Sequence, residues 1–263
     1  IEKKVPGKSL EFYVYYKENR VVMTTDSKFL TQGKWTFIKY DKFGRVIYTG
    51  ISNGGNRETE QQNANNAALV YETRTSSANF SVSSLDIYYT KNAYPTAVSE
   101  VLSVNYYDTY PTEMPIAKPA KVYHQPTLTA DNTKTHSTKT MLTASYVKNS
   151  EANEWEKIYN RYDNKERLIG NHKSTHLNGS SVSEMKLDFI GNITDTKVTH
   201  KRLPNDPAMV ISQRYVYSPQ NVLLKHYHKV NNNAEVLLAQ NTYDDLGKLI
   251  NKKVGNNLQS IDY

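Results

Sequence analysis

The chain has 263 residues, no cysteine, 21 tyrosines against 6 phenylalanines and 2 tryptophans, and a net charge of +7 from 33 Lys+Arg and 26 Asp+Glu. The missing cysteine excludes disulfides and thiolate metal sites; no apolar run is long enough for a membrane-spanning helix, and no signal-like apolar segment follows Ile1. The basic excess would permit binding to phosphates or acidic glycans, but acids and bases are interspersed without a concentrated run, so neither a nucleic-acid partner nor direct membrane insertion is expected.

Tyrosine suits half-buried strand faces, where the ring packs and the hydroxyl reaches a polar partner. In chain order, residues 1–7 (IEKKVPG) echo 250–255 (INKKVG), which follow a turn string. Residue 1 therefore reads as the second half of a hairpin, and the chain as a piece of a longer protein. Windows 15–21 (YYKENRV) and 40–46 (YDKFGRV) come next, and the same string returns at 162–168 (YDNKERL), 187–193 (LDFIGNI), 217–223 (YSPQNVL) and 243–249 (YDDLGKL). Its second position favours Asp or Ser, which start a type I turn, and its fifth favours Gly or Asn, which tolerate the left-handed backbone of a G1 bulge. Asp41, Gly44, Asp163, Asp188, Gly191, Asn221, Asp244 and Gly247 are the expected turn residues, and Glu166 is the misfit. Trp35, Phe37, Val46 and Ile47, which flank the second turn, have strand patterns and are expected to pack.

Between residues 51 and 160 the repeat lapses. "ISNGGNRETEQQNANNAA" reads as a long polar loop with a short helix over 58–69. Strands are expected over 80–89, 101–110, 121–124 and 141–148, with the Pro-bearing 110–119 breaking the run. The organisation is one segment, residues 1–263: repeats to 50, an elaborated region over 51–160, and repeats again from 161.

These windows resemble the YD repeats of the Rhs family. The phrases "KWTFIKYDKFGRVIYTGI", "EVLSVNYYDTYP", "TASYVKN" and "INKKVG", with the final "IDY", resemble large Rhs-type proteins of Bacteroidetes, flavobacteria above all. The resemblance implies an all-β fold: consecutive hairpins forming a spiral sheet or an arc of a hollow shell, with a loop-rich middle section. It further implies a protein at the cell surface or outside it, exported by type 9 secretion, that encloses a C-terminal effector or toxin. Its partners would be the rest of its own polypeptide, that enclosed segment, and secretion components.

Little catalytic chemistry is legible. His172 and His176 stand four apart in a poor helix, and His226 and His228 share a strand face; neither pair has an evident third metal ligand. "NGSSVS" is no nucleophile elbow and "SNGGN" no phosphate loop. The tyrosines at 13, 15, 16, 88, 89, 106 and 107 could stack on sugars or pack within the sheet. No catalytic, cofactor or metal residue is assigned and no enzyme is expected. The alternatives are a surface adhesin or glycan-binding module and, third, a carbohydrate-active enzyme whose carboxylates would have to converge in a pocket.

Overall fold

The computed structural model describes residues 2–4, 6–112, 114, 119–130, 134–151, 153–175 and 177–263. Ile1, Val5, His176 and positions 113 and 115–118 of the Pro-bearing run, on which parts of the sequence reading fall, lie outside the described residues. The first strands are β1 (Glu2–Lys3), β2 (Glu11–Tyr15), β3 (Val21–Asp26), β4 (Lys34–Tyr40) and β5 (Val46–Asn53), with helix α1 (Ser27–Leu30) between β3 and β4. Helix α2 (Arg57–Asn66), β6 (Phe80–Val82), β7 (Leu85–Ile87), β8 (Glu100–Tyr107), β9 (Lys121–Val122) and β10 (Gln125–Pro126) follow. Then come β11 (Leu142–Asn149), β12 (Glu154–Tyr162), β13 (Leu168–Ser174), β14 (Ser180–Leu187) and β15 (Ile193–Lys201). The last are β16 (Met209–Tyr217), β17 (Leu223–Val230), β18 (Val236–Tyr243), β19 (Leu249–Val254) and β20 (Gln259–Asp262).

The fold is all-β. Sixteen strands are hydrogen-bonded in the order β1-β2-β3-β4-β5-β8-β11-β12-β13-β14-β15-β16-β17-β18-β19-β20, and the sheet does not close into a barrel. The pairs β6–β7 and β9–β10 stand apart as small hairpins. Packing divides the chain into two units, residues 1–106 with 144–157, and residues 107–143 with 158–263.

In the first unit one sheet face is apolar and covered. Alternation sends Val14, Met23, Trp35, Phe37, Tyr48 and Val104 to that face, and all are fully buried. The cover is built from the segment that the sequence read as a long loop together with the expected strand over 80–89. Its helix α2 covers part of the face, starting at an Asn56 cap whose side chain accepts from Thr59 N at 2.9 Å. Gln61 of α2 bonds the backbone of Tyr15 twice, accepting from its N at 3.1 Å and donating to its O at 2.8 Å. Ala64, Leu85, Ile87, Tyr89 and Ala93 of the cover are buried. Rings then run Phe37–Tyr48–Tyr89–Tyr106–Tyr146 with centroids 5.2 to 6.3 Å apart, alternating edge-on, tilted and stacked, distances at which aromatic pairs add to simple burial. The single strand expected over 80–89 is instead a hairpin, because Ser83 and Ser84 take left-handed φ of 48° and 59° and reverse the chain. The helix begins one residue before the expected start and ends three residues before the expected end.

The second unit is largely an up-and-down meander. Ile169, Tyr159 and His172 are buried near β12 and β13, beside the β9–β10 segment, whose Gln125 accepts from Leu187 N at 3.0 Å and donates to Met185 O at 2.8 Å. Further along, β15 and β17 have every residue half-buried, so both faces are only partly covered. One face has a charged ladder, Lys186–Asp195 and Lys197–Glu184 with Arg214–Glu235 beyond. The other has Val198, Ile211 and Val230 in register. Such a single layer is held by cross-strand pairs more than by a core.

Candidate functional site: linked turns and a buried ion pair

All six string windows fold into one turn. The second-position N–H donates to the sixth-position carbonyl at 2.9 to 3.0 Å, and the fifth-position N–H to the second-position carbonyl at 2.9 to 3.3 Å. The fifth residue has positive φ each time: Asn19 58°, Gly44 79°, Glu166 64°, Gly191 106°, Asn221 66° and Gly247 79°. A register shift precedes the turn in five of the strand pairs, as a G1 bulge requires. The Asp carboxylate organises the loop. Oδ1 of Asp41 accepts from Phe43 N and Arg45 N, Asp163 and Asp244 repeat the pattern at 2.8 to 3.0 Å, and Asp188 Oδ1 accepts from Gly191 N and Asn192 N at 2.8 and 2.9 Å. Burial alone would raise the Asp163 carboxyl, but bonds from the Arg167 side chain and from the Arg167 and Lys165 backbone outweigh it and hold the pKa below its ordinary range.

Two further positions, which turn chemistry could not assign, connect neighbouring hairpins. The leading tyrosine donates back to the strand before it: Tyr40 to Val21 O (2.7 Å), Tyr162 to Leu142 O (2.8 Å), Tyr217 to Ile193 O (3.2 Å) and Tyr243 to Leu223 O (3.0 Å). The sixth residue returns to its own Asp, Arg45 Nε to Asp41 Oδ2 at 2.6 Å and Arg167 Nε to Asp163 Oδ2 at 2.8 Å. It also reaches forward. Arg167 Nη1 donates to Asp188 O at 2.9 Å, Asn192 Nδ2 to Asn221 Oδ1, and Arg20 lies over the Tyr40 ring beside Gly44. The tyrosine therefore ties four of the turns to the strand behind, and the sixth residue ties three of them to the turn ahead. The recurrence of Tyr and Arg in the windows was the available signal, but only three dimensions supply their partners.

The first unit also holds a fully buried pair, Lys39 Nζ and Glu72 Oε1, 2.9 Å apart. Glu72 further accepts from Thr90 Oγ1 (2.7 Å), Asn92 N (2.8 Å), Ala93 N (3.0 Å) and Tyr48 Oη (3.5 Å), while Lys39 also donates to Ala93 O. Burial pushes the Lys39 ammonium below its ordinary range, with Glu72 opposing. Lys39 is on the sheet and Glu72 in the cover, so the pair pins one to the other. Nothing in the sequence spacing of 39 and 72 announces it.

Several candidate ligands have structural settings. His172 is buried in β13 against Tyr159, and burial, with Arg161 nearby, lowers its pKa; its proposed companion His176 lies outside the described residues. His226 stacks on Tyr215 with centroids 4.6 Å apart. Among the described residues no cluster of three or more His, Asp or Glu could hold a metal. Tyr16, Tyr89 and Tyr106 are core residues rather than exposed stacking platforms. Tyr13 is different: it lines an open groove of about 580 Å³ with Glu11, Thr24, Asp26, Phe29 and Gln32. Glu11 and Asp26 face each other in register. Each also has a local task, Asp26 capping α1 at Phe29 N (2.7 Å) and Glu11 accepting from Tyr13 Oη (2.8 Å).

Comparison with known protein families and with curated proteins gives no match. Among solved structures the chain is similar to a TcdB2–TccC3–TEV chain, at 11% identity over 97% of this chain and 12% of that one, TM-score 0.26. It is similar to TcdB2–TccC3 without its hypervariable C-terminal region at 12% identity, with 97% and 12% covered and TM-score 0.26. A third likeness is to the Photorhabdus luminescens Tc holotoxin pore, at 11% identity, with 99% and 18% covered and TM-score 0.17. The chain thus spans about an eighth of the length of the TcdB2–TccC3 chains it matches, and at these identities and scores the likeness says nothing of activity or partners.

Proposed function

We propose that this chain is a non-catalytic wall segment of a large Rhs-type shell protein, which encloses or carries an effector or toxin segment. The observation that carries the reading is the two-way linkage of the turns. Four of the windows bond the strand behind through a tyrosine hydroxyl and three reach the turn ahead through the sixth residue, so a wall lengthens by repeating one unit whose stability comes from neighbours. The half-buried strands of the second unit suit a wall with water on both sides. Its partners are the rest of its own polypeptide, the enclosed segment and type 9 secretion components, and its place is the surface or exterior of a flavobacterium-like cell. The test is protease protection of a tagged C-terminal segment in the full-length polypeptide, recovered from the medium with and without type 9 export. Rapid digestion of the tag while the wall stays intact would refute containment, and recovery independent of that route would refute the export assignment.

A second reading, a surface glycan-binding module, rests on the Tyr13 groove. There an aromatic ring stands among hydroxyl, amide and carboxylate groups, the mixture that sugar hydroxyls and C–H faces engage. Retention on one immobilised polysaccharide, lost in Tyr13→Ala, would favour it over the wall.

A further inference from the structure

Along the last four turns, at 162–168, 187–193, 217–223 and 243–249, the forward link is missing once, and a cleft opens there. The sixth residue reaches the following turn from Arg20, Arg167 and Asn192. In the window at 217–223 that residue is Val222, which has neither the length nor the donors to do so. Between this turn and the next lies a cavity of about 400 Å³ lined by Val222, Leu224, Asn241, Asp244, Asp245 and Gly247, among others. Its walls carry two carboxylates and no cationic side chain. Asn241 Oδ1 is enclosed and has no hydrogen-bond partner. Neither Asp244 nor Asp245 has an ion-pair partner among the described residues. The Asp244 carbonyl is the counterpart of the Asp188 carbonyl that accepts from Arg167.

The geometry points to a docking site here for an arginine side chain of a polypeptide partner, which would supply in trans the arm that Val222 lacks. Two carboxylates and a turn carbonyl match the donor-only guanidinium, and Val222 with Leu224 offers apolar surface to its methylene stem. A lysine ammonium would satisfy the charge but not the planar fork that Arg167 uses at the equivalent place. This inference is independent of whether the wall encloses anything.

The experiment is an amide-resolved NMR titration of the full 263-residue chain with acetylated and amidated Gly-Arg-Gly, and with the same peptide carrying the neutral isostere citrulline. The arginine peptide should give saturable shifts confined to residues 218–224 and 241–247. The citrulline peptide should bind about tenfold more weakly, because charge-assisted hydrogen bonds are roughly twice as strong as neutral ones. Val222→Arg should fill the cleft from within, weakening the peptide about tenfold or more and raising the melting temperature. Asp245→Asn, at an exposed turn position, should weaken the arginine peptide without altering the fold. Absence of a saturable shift, equal binding of citrulline, or undiminished binding by both variants would overturn the site.

Discussion

Removing the charge of Glu72 should loosen the cover from the sheet in the first unit. Glu72→Gln keeps the shape and one acceptor oxygen but leaves the Lys39 ammonium buried without its anion. Breaking a buried pair from one side costs about 3–5 kcal/mol. Lys39→Met removes the cation instead, and here the carboxylate keeps four neutral donors, Thr90 Oγ1, Asn92 N, Ala93 N and Tyr48 Oη. That loss should be smaller, about 1–3 kcal/mol for unmade hydrogen bonds. The double variant has no buried charge, so it should be more stable than Glu72→Gln alone, with a coupling of at least about 1 kcal/mol. Both tryptophans, Trp35 and Trp155, belong to the first unit, and Trp35 is buried with its Nε1 donating to Gly55 O at 3.1 Å. Urea unfolding followed by tryptophan fluorescence therefore reads this unit selectively. The reasoning is refuted if Glu72→Gln lies within about 1 kcal/mol of the parent, or if the two single losses simply add.

Deleting one hydroxyl in Tyr243→Phe should cost about 1 kcal/mol, the usual net value of a hydrogen bond; hydrogen exchange should rise at the junction of β17 and β18 and stay unchanged in β13 and β14. Glu166→Gly should gain about 1 kcal/mol by relieving a left-handed non-glycine, measured by thermal melting; a loss would mean Glu166 makes an interaction that offsets the strain. Gly50→Ala should be strongly destabilising, since its Cβ would lie 2.6 Å from Phe37 Cζ and nearer still to Glu100 O; soluble, unchanged Gly50→Ala protein would contradict the packing. The folded-state pKa of Asp163 is depressed, so its contribution is complete above the unfolded carboxylate value, about 4, and is lost as pH falls through the folded value. Asp163→Asn should accordingly flatten the acid limb of the stability profile, and an unchanged limb would place the acid lability elsewhere.

The turns are legible in the residues that form them. An Asp or Ser that folds back on its own loop and a Gly or Asn that tolerates positive φ are local chemistry, so Asp41 with Gly44, or Ser218 with Asn221, needs no distant residue to declare a reversal. Even Glu166, the misfit, bends the same way, because the bonds to Asp163 outweigh one strained residue. What those turns connect is set by contacts between distant strands. Tyr40 finds Val21 and Arg167 finds Asp188 across strand pairings that a one-dimensional pattern does not specify. The stretch from 54 to 79 is polar and without periodicity, and neither it nor the strand pattern over 80–89 shows a sign of being the cover of an aromatic face until Glu72 meets Lys39. Local bends depend on neighbours in the chain, whereas burial depends on which surfaces meet, and that is settled by the whole chain at once.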